Sequence, residues 1–94
     1  MSIVFTSTKT PAGRLDYAWD WADWLAGVGD TLDIATVAVP DGLTAVGSPV
    51  VGDGVVTQRI SGGVVGATYE LVCQITTVGG LIDEKTIDLT IVEH

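Results

Sequence analysis

The sequence is poor in the residues that most often carry chemistry. Its 94 residues include one cysteine, Cys73, and one histidine, His94. A single cysteine excludes an internal disulfide, so we expect folding in a reducing compartment or a fold that needs no covalent link. Because the imidazole belongs to the last residue, no nucleophile can be paired with a histidine base in a fixed site. We therefore predict no enzyme activity, no catalytic residues and no cofactor.

Positive charge is also scarce. Four basic residues stand against twelve acidic ones, which gives a net charge of −8. Phosphate binding requires clustered Lys and Arg, so this composition excludes nucleic acid and anionic membranes from the expected partners. No uninterrupted apolar run approaches the ~18 residues of a transmembrane helix. The basic residues are scattered along the chain, at Lys9, Arg14, Arg59 and Lys85.

The sequence is instead rich in apolar residues. They make up 47% of the chain, and the mean hydropathy is +0.46. The length predicts one domain over residues 1–94. Because a domain of this size buries only a modest share of its surface, the surplus of apolar residues indicates an interface with another protein.

Twelve glycines separate short runs of Val, Ile, Thr and aromatic residues, a pattern typical of strands joined by turns. We predict an all-β fold, an immunoglobulin-like antiparallel β-sandwich of about seven strands. The sequence does not decide which side chains of the strand Gly54–Ile60 face the core. They are either Val55, Thr57 and Arg59, or Val56, Gln58 and Ile60. Turns are predicted at Ser61–Gly66 and Gly79–Gly80. The predicted strand segments are Ser2–Thr6, Leu15–Trp21, Asp33–Pro40, Leu43–Val46, Val50–Val51, Gly54–Ile60, Ala67–Thr76 and Lys85–Val92.

Aromatic residues mark the predicted core. Trp19 and Trp21 share the inward parity of their strand, and each indole N–H needs a hydrogen-bond partner there. The next segment, Ala22–Gly27, breaks this alternation and predicts a short helical turn or a tight loop. Tyr69 follows a glycine-rich corner, where its hydroxyl is expected to bond back to the backbone as in a tyrosine corner. The other residues predicted to face inward are Leu15, Tyr17, Leu71, Cys73, Ile75, Ile87, Leu89 and Ile91.

Clustered aspartates raise the question of a metal site, because Ca²⁺ binds groups of oxygen ligands. The sequence has no loop with the spacing of a calcium-binding EF-hand. Asp16 and Asp20 fall on the polar face of a predicted strand, where acids keep the surface soluble. We therefore favour a solvated face and predict no metal ligands. The residues weighed are Asp16, Asp20, Asp23, Asp30 and Asp33.

Three motifs together resemble a known family. They are D-Y-x-W-D-W-x-D-W-L at Asp16–Leu25, V-P-x-G-L-T at Val39–Thr44, and S-G-G-x-x-G-x-x-Y-x-[VL]-x-[CN]-x-I-T-T-x-x-G-x-x-[DE]-E at Ser61–Glu84. The combination is similar to small structural proteins of tailed bacteriophages, called fibre–tail adaptors or grouped with capsid decoration proteins. The likeness covers nearly the whole chain after Lys9. This chain departs from the family pattern just before Ser61-Gly62-Gly63. Many members have an aromatic or polar residue in that strand, where this chain has Gln58-Arg59-Ile60.

The resemblance implies an immunoglobulin-like fold, a place in the virion and no catalytic motif. The expected function is that of a non-enzymatic structural protein, made in the host bacterial cytoplasm, that attaches head–tail or tail proteins to a fibre. Its partners would be other virion proteins (tail or connector, fibre, or major capsid protein), bound in multiple copies per particle. Two alternatives stay open: a capsid decoration protein on the head surface, and a carbohydrate-binding immunoglobulin-like module.

Four residues are the candidate contact points: Trp24, Leu25, Val64 and Val65. Trp24 breaks the strand parity, so it either caps the core or anchors an interface. Stacking of a sugar on Trp24 is a third option, which the absence of flanking Asn, Gln or His disfavours. Val64 and Val65 lie in the predicted turn before Tyr69. Addition of a partner strand at an open sheet edge is a further expected mode of contact.

Overall fold

Two β-sheets pack face to face, and one short helix closes an end of the sandwich. The structure is a computed structural model that describes the backbone of residues 3–93 and the side chains of residues 6–93. Ser2, the first residue of a predicted strand, and His94 lie outside the described residues. The elements are β1 (Ile3–Lys9), β2 (Leu15–Asp20), α1 (Ala22–Val28), β3 (Leu32–Ala38), β4 (Leu43–Gly52), β5 (Val55–Gly62), β6 (Thr68–Thr77) and β7 (Ile82–Ile91).

The strands form a four-stranded sheet of order β1-β7-β6-β3 and a three-stranded sheet of order β2-β5-β4. The predicted all-β class is confirmed, and the arrangement is compatible with an immunoglobulin-like sandwich. One pairing departs from the antiparallel pattern, because β1 runs parallel to β7. The turn at Thr10–Gly13, closed by the Gly13 N–H bonding the Thr10 carbonyl at 3.0 Å, carries the chain to the other sheet. β1 therefore cannot form a hairpin with β2.

The middle of the chain differs from the prediction in β4. The two predicted segments, Leu43–Val46 and Val50–Val51, belong to one ten-residue strand. Its pairing with β5 shifts register between Val46 and Val50, which is why a continuous strand reads as two in the sequence. The Gln58 side-chain amide donates to carbonyls at this irregularity, those of Val46 at 3.4 Å and Gly47 at 3.2 Å.

The remaining boundaries shift by a few residues. β5 continues into the predicted turn as far as Gly62, and β7 begins at Ile82 rather than at Lys85. The predicted Gly79–Gly80 turn is confirmed as the link between β6 and β7, closed by the Gly80 N–H bonding the Thr77 carbonyl at 3.0 Å.

The core lies between the sheets and is built around the two predicted tryptophans. Trp19 and Trp21 are each 1% exposed. The open question about β5 is resolved, because Val56, Gln58 and Ile60 face inward and are buried. Leu15, which shares the parity of Trp19, is exposed at the start of its edge strand. The other buried apolar residues are Tyr17, Leu25, Leu43, Leu71, Cys73, Ile75, Ile87, Leu89 and Ile91.

Helix α1 confirms the predicted helical turn and extends it by one residue, to Val28. The helix ends at Gly29, whose left-handed backbone (φ 67°) lets its N–H bond the Leu25 carbonyl. Leu25 points into the core beneath the turn between β4 and β5, which holds α1 against the end of the sandwich.

Candidate interaction surfaces

The structure places the candidate contact residues at two opposite ends of the strands. The protein measures 43 × 24 × 20 Å, so it is elongated. Trp24 and Leu25 lie on α1, where β2 ends and β5 begins. Val64 and Val65 lie in the link between β5 and β6, at the other end of the same strands. The four residues therefore do not form one site.

At the helix end, Trp24 is exposed and Leu25 is not. Trp24 keeps 37% of its surface accessible, whereas Leu25 keeps 5% and belongs to the core. Val28 is four residues after Trp24, so the two share one face of the helix, and Val28 is also exposed. We call five of the exposed apolar residues at this end the helix-end surface: Trp24, Val28, Val78, Leu81 and Ile82.

Sequence reasoning missed Val28, Val78, Leu81 and Ile82 as surface candidates. The signal was available in part, since Val78 and Leu81 flank the predicted Gly79–Gly80 turn, where side chains are usually exposed. Ile82 lies between the predicted turn and the predicted strand start at Lys85, in a segment to which the prediction assigned no face.

Polar contacts between the two sheets support the helix-end surface from beneath. The Trp21 indole N–H donates to the Asp83 carboxylate at 2.9 Å, which joins the end of β2 to β7. The Lys85 ammonium lies 5.0 Å from the centre of the Trp21 ring and donates to the Asp20 carbonyl. Trp19, in contrast, has no hydrogen-bond partner for its indole N–H among the described residues.

Asp30 joins the end of α1 to the turn between β6 and β7. Its carboxylate accepts the N–H groups of Thr31 at 2.8 Å and Gly79 at 3.1 Å. A hydrogen bond from the Thr77 side chain, with those backbone donors, lowers the pKa of Asp30. Its oxygens are therefore used in holding the fold.

Two of the other aspartates have similar structural partners. Asp16 forms an ion pair with Arg59 at 2.8 Å on the outer face of β2 and β5, and this hydrogen bond lowers the pKa of Asp16. Asp20 accepts the Ala22 N–H at 2.8 Å at the start of α1. Within residues 3–93, no three His, Cys, Asp or Glu side chains are grouped so that they could hold a metal ion.

At the opposite end, Val64 and Val65 are exposed by 64% and 48%. We call these two residues the loop-end surface. The Val64 N–H donates to the Tyr69 hydroxyl at 3.2 Å, which confirms the predicted bond from this tyrosine back to the corner before it. Gly63 adopts φ 108°, and an added Cβ there would lie 2.6 Å from Ile91, so only glycine fits beside the core.

A buried lysine fixes the base of the loop end. Lys9 is 2% exposed, and its ammonium donates to the carbonyls of Thr10 at 2.6 Å and Gly62 at 2.5 Å. Burial lowers the pKa of Lys9. The contact joins the end of β1 to the end of β5, and so ties the two sheets together beneath the loop-end surface.

Cys73 lies at the centre of the four-stranded sheet and is inaccessible. Burial raises the pKa of its thiol to about 12, so the reactive thiolate is absent at neutral pH. α1 has seven residues, and no helix in the part of the chain that the structure describes is long and apolar enough to cross a membrane.

Comparison with known proteins places the chain in a family. No curated protein sequence matches it. The family model described as "Podophage GP4 fiber-tail adaptor protein gp77" matches residues 9–90, which is most of the chain and contains all three motifs noted in the sequence. The match indicates a structural adaptor of a phage virion. The chain therefore belongs to the podophage GP4 fiber-tail adaptor protein gp77 family.

Proposed function

We propose that the protein is a non-enzymatic adaptor whose two ends contact two different virion proteins, one of the tail and one of the fibre. The observation that carries this proposal is the presence of exposed apolar side chains at both ends of an elongated sandwich. A bridging protein needs two separated contact surfaces, and burial of apolar side chains is the main driving force of association.

The contacts at the helix end would be made by Trp24 and Val28, with Val78, Leu81 and Ile82 around them. Tryptophan is among the residues that most often anchor protein interfaces. Leu25 supports α1 from inside. At the other end Val64 and Val65 would make the contact. Several copies around the symmetric tail would multiply modest individual affinities through avidity.

The proposal is tested by measuring where the protein resides in the particle. Purified virions are separated into heads and tails, and the copy number in each fraction is measured by quantitative mass spectrometry. The proposal predicts recovery with tails at a small number of copies. Recovery with heads in large numbers would instead support the decoration-protein alternative, and absence from both fractions would overturn a virion role.

Paired variants test the surfaces themselves. Trp24→Ala with Val28→Ala, and separately Val64→Ser with Val65→Ser, should reduce incorporation into particles while leaving the melting temperature within a few degrees, because these side chains are exposed. Val50→Ser is the control, since Val50 is at least as exposed as these four residues and pairs with Thr57 in the β4–β5 ladder, outside both named surfaces. Normal incorporation of both paired variants would contradict the proposed contacts.

The carbohydrate-binding alternative rests on Trp24 alone. A sugar that binds the native state must raise the melting temperature at high concentration. A Trp24-dependent increase with a soluble glycan would favour that alternative over the adaptor contact.

A further inference from the structure

One side of the sandwich is open. β1 is hydrogen-bonded to β7 and β2 to β5, and the strand order places both at sheet edges. Between them lies a groove of about 560 Å³, lined by residues of β1 and β2 with Ile87 behind them. Tyr17 crosses the groove, because its hydroxyl donates to the Thr8 carbonyl at 3.2 Å.

The backbone groups that face this groove can be assigned from the hydrogen bonds around it. The Trp21 N–H donates to the Gly54 carbonyl at 2.9 Å, on the side of β5. Backbone groups alternate sides along a strand, so those of Trp19 and Tyr17 also face β5, whereas those of Asp16 and Ala18 face the groove. These groups of Asp16 and Ala18 form the row of donors and acceptors that a further strand requires.

The same alternation applies to β1. The Lys9 carbonyl accepts the Val92 N–H at 2.8 Å, on the side of β7. The backbone groups of Thr8 and Thr6 therefore face the groove, and the Tyr17 hydroxyl already occupies the Thr8 carbonyl. β2 thus presents more unused backbone groups than β1 does.

We propose that this groove binds an extended segment of a partner virion protein, which adds to the edge of β2 as an extra strand. The inference rests on the proposed adaptor function and specifies how one partner is held. A segment of about five or six residues spans β2 at ~3.3 Å per residue. Its alternate side chains would enter the gap between the sheets above Tyr17 and Ile87, so they are apolar.

Charge identifies the kind of segment. Asp20 and Asp16, the latter paired with Arg59, line the groove, and the chain carries a net charge of −8. A basic segment of another protein is therefore attracted and a neutral one is tolerated, whereas a second copy of this acidic chain is repelled.

The other sheet edges are less suited to strand addition. β4 contains Pro49 and an irregular register, both of which protect an edge from pairing. β3 contacts β4 on the side of the sandwich opposite the groove, so the two edges there lie against each other. The groove between β1 and β2 is the edge that remains open among the described strands.

The test uses the full-length protein and overlapping 12-residue peptides that cover the tail and fibre proteins encoded by the same phage. Amide hydrogen exchange is followed by NMR with and without each peptide. At least one peptide should slow exchange at Ala18 about tenfold or more, with little change at Trp19, whose N–H is already bonded. Binding of no peptide, or binding that leaves Ala18 exchange unchanged, would overturn the proposal.

A variant pair tests the backbone contact. Ala18→Pro removes the N–H that faces the groove without removing a hydrogen bond to β5. It should lower the affinity for the peptide that slows Ala18 exchange by about tenfold. Ala18→Val keeps the N–H and should bind as the wild type does. Equal affinities would contradict strand addition, and the exchange measurement on the wild type decides the matter if the proline variant does not fold.

Two further outcomes are distinguishable. Concentration-dependent dimers without peptide that disappear in Ala18→Pro would assign the groove to a second copy and overturn the proposed partner. Absence of the protein from purified tails would contradict the adaptor function itself. That outcome is measured by the particle fractionation, not by the peptide experiment.

Discussion

The two ends of the sandwich expose apolar residues of similar character but hold them by different means. At the helix end, side chains provide the support: Trp21 bonds Asp83 across the sheets, Lys85 covers the Trp21 ring, and Leu25 fixes α1 from inside. At the loop end, backbone geometry provides the support, through the positive φ of Gly63 and the backbone carbonyls that accept hydrogen bonds from Lys9.

The difference predicts how each end responds to mutation. Side-chain support can be weakened gradually, because a smaller residue leaves part of the packing in place. An end that is held by backbone geometry tolerates few substitutions of its glycines, because a residue with a Cβ cannot adopt the turn conformation without strain. The following predictions test this contrast, from the largest expected effect to the smallest.

Trp21→Ala should lower the free energy of unfolding by about 3–5 kcal/mol, because it removes a buried ring and leaves a cavity. Trp21→Phe should cost less, since it keeps much of the packing and loses chiefly the bond to Asp83. Urea unfolding followed by circular dichroism measures both. Equal losses in the two variants would show that packing of the ring does not support this end.

Gly63→Ala should lower the free energy of unfolding, measured by urea unfolding, by about 2–3 kcal/mol. The added methyl group would overlap the Ile91 side chain, and the residue must keep a positive φ. Gly66→Ala is the matched control in the same loop. It also has a positive φ, but an added Cβ there meets no atom within 4 Å, so it should cost only about 1 kcal/mol. Equal stabilities of the two variants would argue against backbone support of the loop end.

Cys73 lies between the ends and provides a pH-dependent test of the core. Its folded pKa is about 12, against 9.0 for a free thiol, so only the unfolded chain releases this proton between those values. Stability should therefore fall as pH rises above 9, with a slope from this residue approaching ~1.4 kcal/mol per pH unit.

Cys73→Val lacks the thiol, and the difference between its stability and that of the wild type isolates this slope from the titration of Lys9 and Tyr17. Urea unfolding at pH 8, 9 and 10 (about one unit on each side of the free-thiol pKa) is sufficient. Parallel curves for the two proteins would contradict burial of the thiol.

Tyr69→Phe should have the smallest effect, about 0.5–1 kcal/mol, because it removes one hydrogen bond to the exposed Val64 N–H and keeps the ring. Thermal unfolding measures the loss. Faster amide exchange at Val64, with unchanged exchange at Gly80 in the opposite turn, would locate the effect at the loop end. Unchanged exchange at Val64 would contradict the tyrosine corner.

Much of the fold follows from periodicity. Alternation predicts the buried faces of β2, β6 and β7, because one face of each strand packs on the core. It could not resolve β5, since Val55 and Val56 are equally apolar, and the decision depends on Gln58 bonding carbonyls of an irregular β4. The parallel pairing of β1 was also inaccessible, because nothing local distinguishes a strand that pairs with its neighbour from one that changes sheet.

The candidate surfaces were predictable only in part. The break in alternation after Trp21 identified Trp24, and the glycine-rich turn identified Val64 and Val65. The break did not show which residue of the pair Trp24 and Leu25 faces solvent, because that depends on how α1 rotates against the turn between β4 and β5. Strand addition at an open edge was predicted, but not that the edge is β2, because the identity of the edge strands depends on sheet order, as the pairing of β1 does.

The central claim is that the two ends contact different proteins. The most direct measurement replaces Trp24, and in a second sample Val64, by a photo-reactive amino acid, assembles particles and identifies the crosslinked proteins by mass spectrometry. The account predicts a tail protein from one position and a fibre protein from the other. Capture of the same protein from both positions, in particles with normal incorporation, would contradict it.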